Sequence, residues 1–213
     1  YRNLVLKIPA PALTYVREKT FLTDEQINEL LDWLEKDKNW RECLYVALSF
    51  ATGCRKGEIV QFNRSDFTEA TLKNGIYTTS IKRGKGRGRA GKPRRFYVPA
   101  ELIDRYLKPY LAEREDDKEH LFVSKFKGEW KCVSANIFNS WCNKYSEYLG
   151  VPVYPHCYRG SIATVLKNRG KDLTNIQTLL DHESIETTAI YVKKDEESDI
   201  INLFREEEEL YDV

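Results

Sequence analysis

The sequence lacks the features that would place it in a membrane or in a disulfide-stabilised secreted fold. No apolar run approaches the roughly 20 residues that a membrane-spanning helix needs. The start of the chain mixes charged residues with prolines and does not form a signal peptide. The five cysteines include no CxxC pair, so a disulfide framework is not indicated. We therefore expect a cytoplasmic protein whose cysteines are reduced and mostly buried as small apolar side chains: Cys43, Cys54, Cys132, Cys142 and Cys157.

Methionine is also absent, and nothing in the composition explains why. The chain begins with Tyr1, so we expect it to be part of a longer protein. Its 213 residues, 41% hydrophobic and 31% charged, are typical of a globular protein with one large domain or two small ones. No repeat or low-complexity linker divides them.

The net charge of +1 conceals an uneven distribution of charge. Residues 193–213 contain three basic and nine acidic side chains, a local charge of −6. Residues 1–192 contain the other 31 basic and 24 acidic side chains and therefore carry +7. The segment 82–95, KRGKGRGRAGKPRR, has eight cations and no acid. A basic body with an acidic tail favours a polyanionic partner.

Helical periodicity dominates the secondary-structure pattern. Thr23 and Gln26 form a capping-box signature ahead of an apolar stripe that begins at Ile27. Gly53 is expected to end the second helix, and Pro109 to bend or break the third. Beyond the helix that begins at Thr23, the pattern predicts helices over about 40–52, 100–114, 134–149, 158–169, 173–180, 184–191 and 196–210.

The pattern changes between residues 76 and 98. GIYTTSI and RRFYVP are rich in residues that favour strands, and they flank the Gly- and Arg-rich stretch. This indicates a hairpin or small antiparallel sheet with a long basic loop. The predicted fold class is α+β, mainly α-helical, with this small sheet on one side.

Several polar residues stand where helical packing does not need them. Guanidinium groups can bind the non-bridging oxygens of a phosphodiester, and imidazoles can donate hydrogen bonds or move protons. A lysine can protonate a leaving oxygen, and a tyrosine can act as the nucleophile. Each residue alone is more simply a surface cation, a structural histidine or a core tyrosine. Together they form a set able to attack a phosphodiester without a metal: Arg55, Lys85, His156, Arg159, His182 and Tyr191.

Three segments resemble the motifs of the tyrosine recombinases, or phage-type integrases. ATGCRKGEI resembles the family's first arginine motif, and HCYRGSIATVLKNRG its His-x-x-Arg motif. IQTLLDHESIETTAIY is similar to the motif that carries the family's tyrosine. The intervals of 32 residues from Arg159 to Tyr191 and nine from His182 to Tyr191 match the family. The resemblance covers about residues 21–195.

The resemblance implies a catalytic role for each matching residue. Arg55 and Arg159 would clamp the scissile phosphate, with His156 and His182 beside them. Tyr191 would attack the phosphorus and form a 3′-phosphotyrosyl link. A 5′-hydroxyl would then attack this link and rejoin the strands, so no nucleotide cofactor or metal is expected.

The lysine and the supporting acid are also assigned by resemblance. Lys85 would be the general acid for the 5′-hydroxyl, and Lys82 and Lys92 are its rivals because the hairpin loop is longer than usual. Glu58 would orient an active-site base or arginine, although it could be a plain helix residue.

The chain departs from the family pattern at three positions near the site. Gly160 replaces a common second His, and Tyr158 replaces the usual Leu. Asp181 stands where Gly is usual before the histidine, and we expect it to tune His182.

The basic segment 82–95 is expected to contact DNA phosphates, although it could be only a solvated hairpin. Its DNA-binding candidates are Lys82, Arg83, Arg87, Arg89, Lys92, Arg94 and Arg95.

The resemblance also implies an organisation in domains. Residues 1–20 would link to a missing N-terminal core-binding domain, and 21–195 would form the catalytic domain. Residues 196–213 would form a C-terminal helix and acidic tail, packed on its own domain or exchanged between protomers. The expected partners are double-stranded DNA with specific recombination sites, other copies in a homotetramer and an accessory excisionase, with the protein at the nucleoid.

The sequence therefore predicts a recombinase or integrase that breaks and rejoins DNA. Two alternatives are a type IB topoisomerase-like enzyme, which would relax DNA by swivelling one strand, and a catalytically inactive DNA-binding relative. The small size and the motif sequences argue against the topoisomerase. The complete set of catalytic residue types argues against the inactive relative.

Overall fold

The structure is a computed structural model, and it describes residues 19–84 and 91–181 of the 213-residue chain. Some predicted features lie outside these residues, so the structure does not test them. They are the linker 1–20 except for its last two residues, the predicted helices at 184–191 and 196–210, and Lys85, Arg87, Arg89, His182 and Tyr191.

Seven α-helices form within the described residues, and their bounds follow the predicted pattern. The short α3 is not predicted, and Pro109 lies inside α4 without breaking it. No helix in this part of the chain is long and apolar enough to cross a membrane. The helices are α1 Asp24–Lys36, α2 Trp40–Thr52, α3 Lys56–Ile59, α4 Ala100–Ala112, α5 Ile137–Leu149, α6 Cys157–Asn168 and α7 Leu173–Leu180.

Local sequence explains where α1 begins and where α2 ends. The Thr23 hydroxyl accepts a hydrogen bond from the Gln26 N–H, and the Gln26 side chain accepts one from the Thr23 N–H. This confirms the predicted capping box. The chain leaves α2 at Gly53, whose φ of +56° lies in the left-handed region that glycine adopts without strain.

Short antiparallel strands interrupt the helices. In the described residues, β1 Leu72–Lys73, β2 Ile76–Thr78 and β5 Tyr97–Pro99 form one sheet in the order β1-β2-β5. The strands β3 Lys82–Gly84 and β4 Lys92–Arg94 form a separate ribbon, called here the basic hairpin. A second hairpin pairs β6 Val123–Phe126 with β7 Glu129–Cys132.

The predicted fold class is confirmed, with more β-structure than the sequence indicates. The predicted hairpin over 76–98 is two nested pairings, β2 with β5 and β3 with β4. The β6–β7 hairpin and β1 are not predicted.

The core is centred on α2, which contacts α1, α4 and α6. Tyr45 on α2 stacks on Phe138 with ring centroids 4.4 Å apart and meets Trp141 edge-on at 5.4 Å. Burial of each such ring contributes about 1.5–3 kcal/mol to stability. The five cysteines are free thiols, as predicted, and all except the half-buried Cys132 are buried.

Candidate active site

The position of Arg55 depends on how α2 ends. The left-handed turn at Gly53 brings the backbone close to α6 and α7, where a Cβ atom would lie 2.5 Å from Leu180 Cδ2 and 3.3 Å from Ile162 Cγ2. Two residues later, Arg55 caps α3 at its N-terminal end. Gly53 thus lets the first arginine motif pack against the helix that carries the second.

Glu58 holds Arg55 by two hydrogen bonds. Its Oε2 accepts the Arg55 backbone N–H at 2.7 Å, and its Oε1 accepts Arg55 Nη1 at 3.2 Å. The Glu58 side chain is only 2% exposed, whereas that of Arg55 is 33% exposed. The buried carboxylate therefore orients a guanidinium that still reaches solvent.

Arg159 lies on α6 and is fully buried. Its Nη1 donates to the carbonyl oxygen of Gly53 at 2.8 Å, and its Nη2 donates to that of Leu180. These carbonyls lie at the C-terminal ends of α2 and α7, where backbone acceptors lack helical partners and the helix dipole favours a cation. Arg159 thereby ties three helices together at one point.

His156 immediately precedes α6, three residues before Arg159. Desolvation by the surrounding protein lowers the pKa of its imidazole, and the charges of Arg159 and Arg55 lower it further. The ring is therefore mostly neutral at pH 7, since the ordinary pKa is about 6.5. His156 and Arg55 line one open cavity of about 350 Å³, together with Lys56, Asn139, Tyr154 and Pro155.

Two cations of the basic hairpin point inward, contrary to their prediction as DNA contacts. Lys82 is 3% exposed, and its Nζ donates to the Asp66 carboxylate and to Ser80 Oγ. Arg94 is 9% exposed and donates from Nη2 to the carbonyl oxygen of Leu179. Acceptors from distant elements draw these side chains into the protein, which argues against direct phosphate contacts by either of them. Burial in an ion pair likewise argues against Lys82 as the rival general acid.

The other described cations of this segment are exposed. Arg95 Nη1 donates to the carbonyl oxygen of Thr79 at 3.0 Å, and Arg83 points to solvent from β3. Lys92 Nζ donates to Asp181 Oδ1 at 2.8 Å. Asp181, predicted to tune the next residue, His182, therefore contacts the hairpin.

The structure thus brings Arg55, His156, Arg159 and Glu58 together. It does not describe Lys85, His182 or Tyr191. It does describe Gly84, which directly precedes Lys85, and Asp181, which directly precedes His182. Gly84 packs on Glu58, since a Cβ atom at position 84 would lie 2.5 Å from Glu58 Oε1. Asp181 ends α7 in a left-handed conformation with φ +53°. The chain therefore enters both undescribed segments beside this site.

Residues 20–198 match the model of the phage integrase family. This chain belongs to that family. The integrase match covers most of the chain and includes all three motifs and the basic hairpin.

Relatives of this chain include the tyrosine recombinase XerA of Pyrococcus furiosus, 34% identical over 172 residues, which are 81% of this chain and 56% of XerA. The SPbeta prophage-derived recombinase-like protein YomM of Bacillus subtilis is 28% identical over 192 residues, 88% of this chain and 57% of YomM. The chain spans a little over half the length of these relatives.

Solved structures share the fold. XerH site-specific recombinase bound to palindromic difH substrate, in a post-cleavage complex, aligns with a TM-score of 0.64 and 28% identity over 81% of this chain and 49% of that one. The crystal structure of XerA recombinase aligns with a TM-score of 0.68 and 24% identity, over 88% of this chain and 65% of that one.

The sequence does not reveal two residues that hold cations of the basic hairpin. Asp66 is buried and is the acceptor for Lys82, yet no spacing links it to the three motifs. Leu179 accepts the Arg94 hydrogen bond through its backbone carbonyl, which a sequence pattern does not reveal.

Proposed function

We propose that this protein is a site-specific DNA recombinase that cuts and rejoins strands without a metal or nucleotide cofactor. The observation that supports it most directly is the meeting of Arg55, His156 and Arg159 at the ends of α2 and α6. XerA is named a tyrosine recombinase, and XerH is a site-specific recombinase bound to its DNA substrate. We extend their activity and DNA partner to this protein as part of the proposal.

In the proposed reaction, the Tyr191 hydroxyl attacks the scissile phosphorus and the bond to the 5′-oxygen breaks. Lys85 gives a proton to that oxygen, and the DNA 3′ end is held as a phosphotyrosyl ester. The 5′-hydroxyl of a second strand then attacks this ester and releases Tyr191. The number of ester bonds stays constant, so the reaction needs no external energy source.

The described residues suit the electrostatic demands of this reaction. A phenol with a pKa of ~10 costs roughly 4 kcal/mol to ionise at pH 7. Fixed guanidinium groups favour both the phenolate and the crowded negative phosphorane, and loss of one such donor typically costs about 10²–10³ in rate. Arg55 and Arg159 would supply these donors, His156 a further hydrogen bond, and Glu58 the orientation of Arg55.

The DNA-binding surface would include the exposed cations Arg83, Lys92 and Arg95 of the basic segment. The proposal also assigns DNA contacts to Arg87 and Arg89, which lie outside the described residues. Each phosphate contact would add to a salt-dependent affinity for double-stranded DNA that carries specific recombination sites.

The proposal includes an organisation and an assembly. Residues 1–20 would link to a core-binding domain, 21–195 would be catalytic, and 196–213 would pack in cis or exchange between protomers. The protein would act in the cytoplasm, as a homotetramer on two DNA sites, with an excisionase as an accessory partner.

Covalent capture on a suicide substrate tests the activity. The protein is incubated with a pool of nicked duplexes of random sequence, in which cleavage near the nick releases a short fragment and traps the adduct. We expect a denaturant-resistant adduct from the wild type and none from Tyr191→Phe, with DNA binding nearly unchanged. Tyr148→Phe, which removes the hydroxyl of a tyrosine stacked on Trp33, should form the adduct normally. A full adduct from Tyr191→Phe would refute the assignment.

The products separate the proposal from its alternatives. Exchange of strands between two captured sites supports a recombinase, whereas relaxation of a supercoiled plasmid without exchange would indicate a topoisomerase. DNA binding without any adduct from the wild type would indicate an inactive relative.

A further inference from the structure

Arg94 and Arg95 are neighbours in sequence with opposite surroundings. Arg95 is exposed, and its Nη1 donates a hydrogen bond to the Thr79 carbonyl oxygen. Arg94 turns inward, and its guanidinium lies 4.3 Å from the centroid of the Phe96 ring. Burial of this charge requires compensating partners, because desolvation of an ion is strongly unfavourable.

The partners of Arg94 come from two different elements. Its Nη2 donates to the Leu179 carbonyl oxygen at the end of α7. Its Nη1 lies 4.0 Å from Glu58 Oε2 on α3 and, among the described residues, has no hydrogen-bond acceptor. The guanidinium fork therefore spans the gap between α3 and α7.

One of these partners supports an arginine proposed to clamp the phosphate, and the other lies next to the support of the second such arginine. Glu58 holds Arg55 by two hydrogen bonds. The carbonyl of Leu180, next to that of Leu179, holds Arg159. Arg94 thus contacts Glu58, which supports Arg55, and the end of α7, which supports Arg159. Arg94 does not line the cavity that Arg55 lines.

The rest of the basic hairpin strengthens the same link. Lys92, two residues before Arg94 on β4, pairs with Asp181 at the end of α7. Gly84 on β3, which pairs with Lys92, leaves just enough room for the Glu58 carboxylate.

We propose that Arg94 is a positioning residue, which holds Glu58 and the C-terminal end of α7 at a fixed separation and so sets the distance between Arg55 and Arg159. This inference rests on the proposed function. Displacement of a reacting group by about 1 Å can cost on the order of 10² in rate. Loss of Arg94 should therefore slow the chemical step while DNA binding persists.

The test is single-turnover cleavage by the whole protein on a nicked duplex recovered by covalent capture. In Arg94→Gln we expect the rate at saturating DNA to fall about 10²-fold. The DNA concentration for half-saturation should stay within about twofold of the wild type, because the proposed role of Arg94 is to position Glu58 and the end of α7 rather than to contact DNA. Arg95→Gln, at an exposed cation of the proposed DNA surface, should instead raise the half-saturating concentration. The control Arg105→Gln, at an arginine whose side chain is 63% exposed and pairs with Glu35, should keep both the saturated rate and the half-saturating concentration.

A substrate with a 5′-thiol leaving group separates Arg94 from the general acid. This leaving group needs no proton, so it should rescue loss of Lys85, whereas Arg94→Gln should stay slow on it. If Arg94→Gln does not fold, Arg94→Lys keeps the positive charge beside Glu58 without the planar fork and should still lower the saturated rate about tenfold.

Two results would overturn the inference while the proposed function stands. One is a wild-type saturated rate in the folded Arg94 variant. The other is full rescue of that variant by the thiol substrate, which would mean that Arg94 acts through the lysine alone. A wild-type protein that forms no adduct would instead refute the proposed function on which the inference depends.

Discussion

Arg159 Nη1 donates a hydrogen bond to the carbonyl oxygen of Gly53 at 2.8 Å, across 106 residues of sequence. The bond joins Arg159, the buried arginine of the His-x-x-Arg motif, to the backbone of Gly53. Gly53 stands two residues before Arg55, the arginine of the first motif. The relative placement of Arg55 and Arg159 therefore depends on a backbone position rather than on contact between the two side chains. Gly53 is the residue that makes this approach sterically possible.

Gly53→Ala should destabilise the protein by about 2–4 kcal/mol. A Cβ atom would meet the buried Leu180 side chain at 2.5 Å, and an alanine would be strained at φ +56°. Gly170→Ala is the matched control, since φ is +70° there but no atom lies within 4 Å of the added Cβ. It should cost only the strain of about 1 kcal/mol. Urea unfolding measures the free energy of unfolding of both variants. Equal decreases in Gly53→Ala and Gly170→Ala would contradict the steric argument.

Lys82 and Arg83 are adjacent on β3 and should respond in opposite ways to substitution by methionine. Lys82→Met leaves the buried Asp66 carboxylate without its charge partner and should cost about 3–5 kcal/mol of unfolding free energy. Arg83→Met should change stability by less than about 0.5 kcal/mol. It should instead weaken DNA binding and reduce the salt slope of log K by about 0.9. An unchanged salt slope would remove Arg83 from the DNA surface.

Acid should weaken the fold partly through Asp66. Desolvation raises the pKa of this carboxyl, but hydrogen bonds from Lys82, Asn63 and Ser80 outweigh it and hold the pKa below its ordinary value. Because the folded pKa is the lower one, the stabilisation is complete above the unfolded value of about 3.9 and is lost as the pH falls through the folded pKa. Asp66→Asn should therefore have a lower free energy of unfolding than the wild type at pH 7. The difference between the two should decrease below about pH 4.

Urea unfolding of the wild type and Asp66→Asn between pH 7 and pH 3 checks this dependence. Asp117→Asn, which alters a carboxylate that is 94% exposed, serves as the control and should follow the wild type throughout. If the difference in unfolding free energy between the wild type and Asp66→Asn is the same from pH 7 to pH 3, the Asp66 charge does not cause the loss of stability in acid.

Lys92 and Asp181 should show a small coupling that depends on salt. Their side chains are 45% and 31% exposed, so a double-mutant cycle with alanine should give about 0.2–1 kcal/mol at low salt and nearly zero in 1 M NaCl. Asp181→Gly should be more stable than Asp181→Ala, because glycine accepts the left-handed φ of +53°. A coupling that persists in high salt would mean that the pair is shielded from solvent.

The helices and the motif residues could be predicted because their signals are local. The capping box at Thr23, the stop at Gly53 and the apolar stripe from Ile27 each depend on residues within one or two turns. The family motifs identify Arg55 and Arg159 by order and spacing, and the structure brings both to one region. The sequence does not predict the β6–β7 hairpin, because within the described residues its strands pair only with each other and β7 is no more than half-buried.

The sequence by itself determined the helical framework, the basic hairpin and the identities of the arginines at the candidate site. Only the tertiary structure decided which cations of the hairpin point inward. Strand side chains alternate between two faces, but almost every residue of β3 and β4 is charged or glycine, so the pattern contains no apolar face to define the register. Carboxylates from elsewhere in the chain make that choice, because buried Asp66 and Glu58 attract Lys82 and Arg94 into the protein.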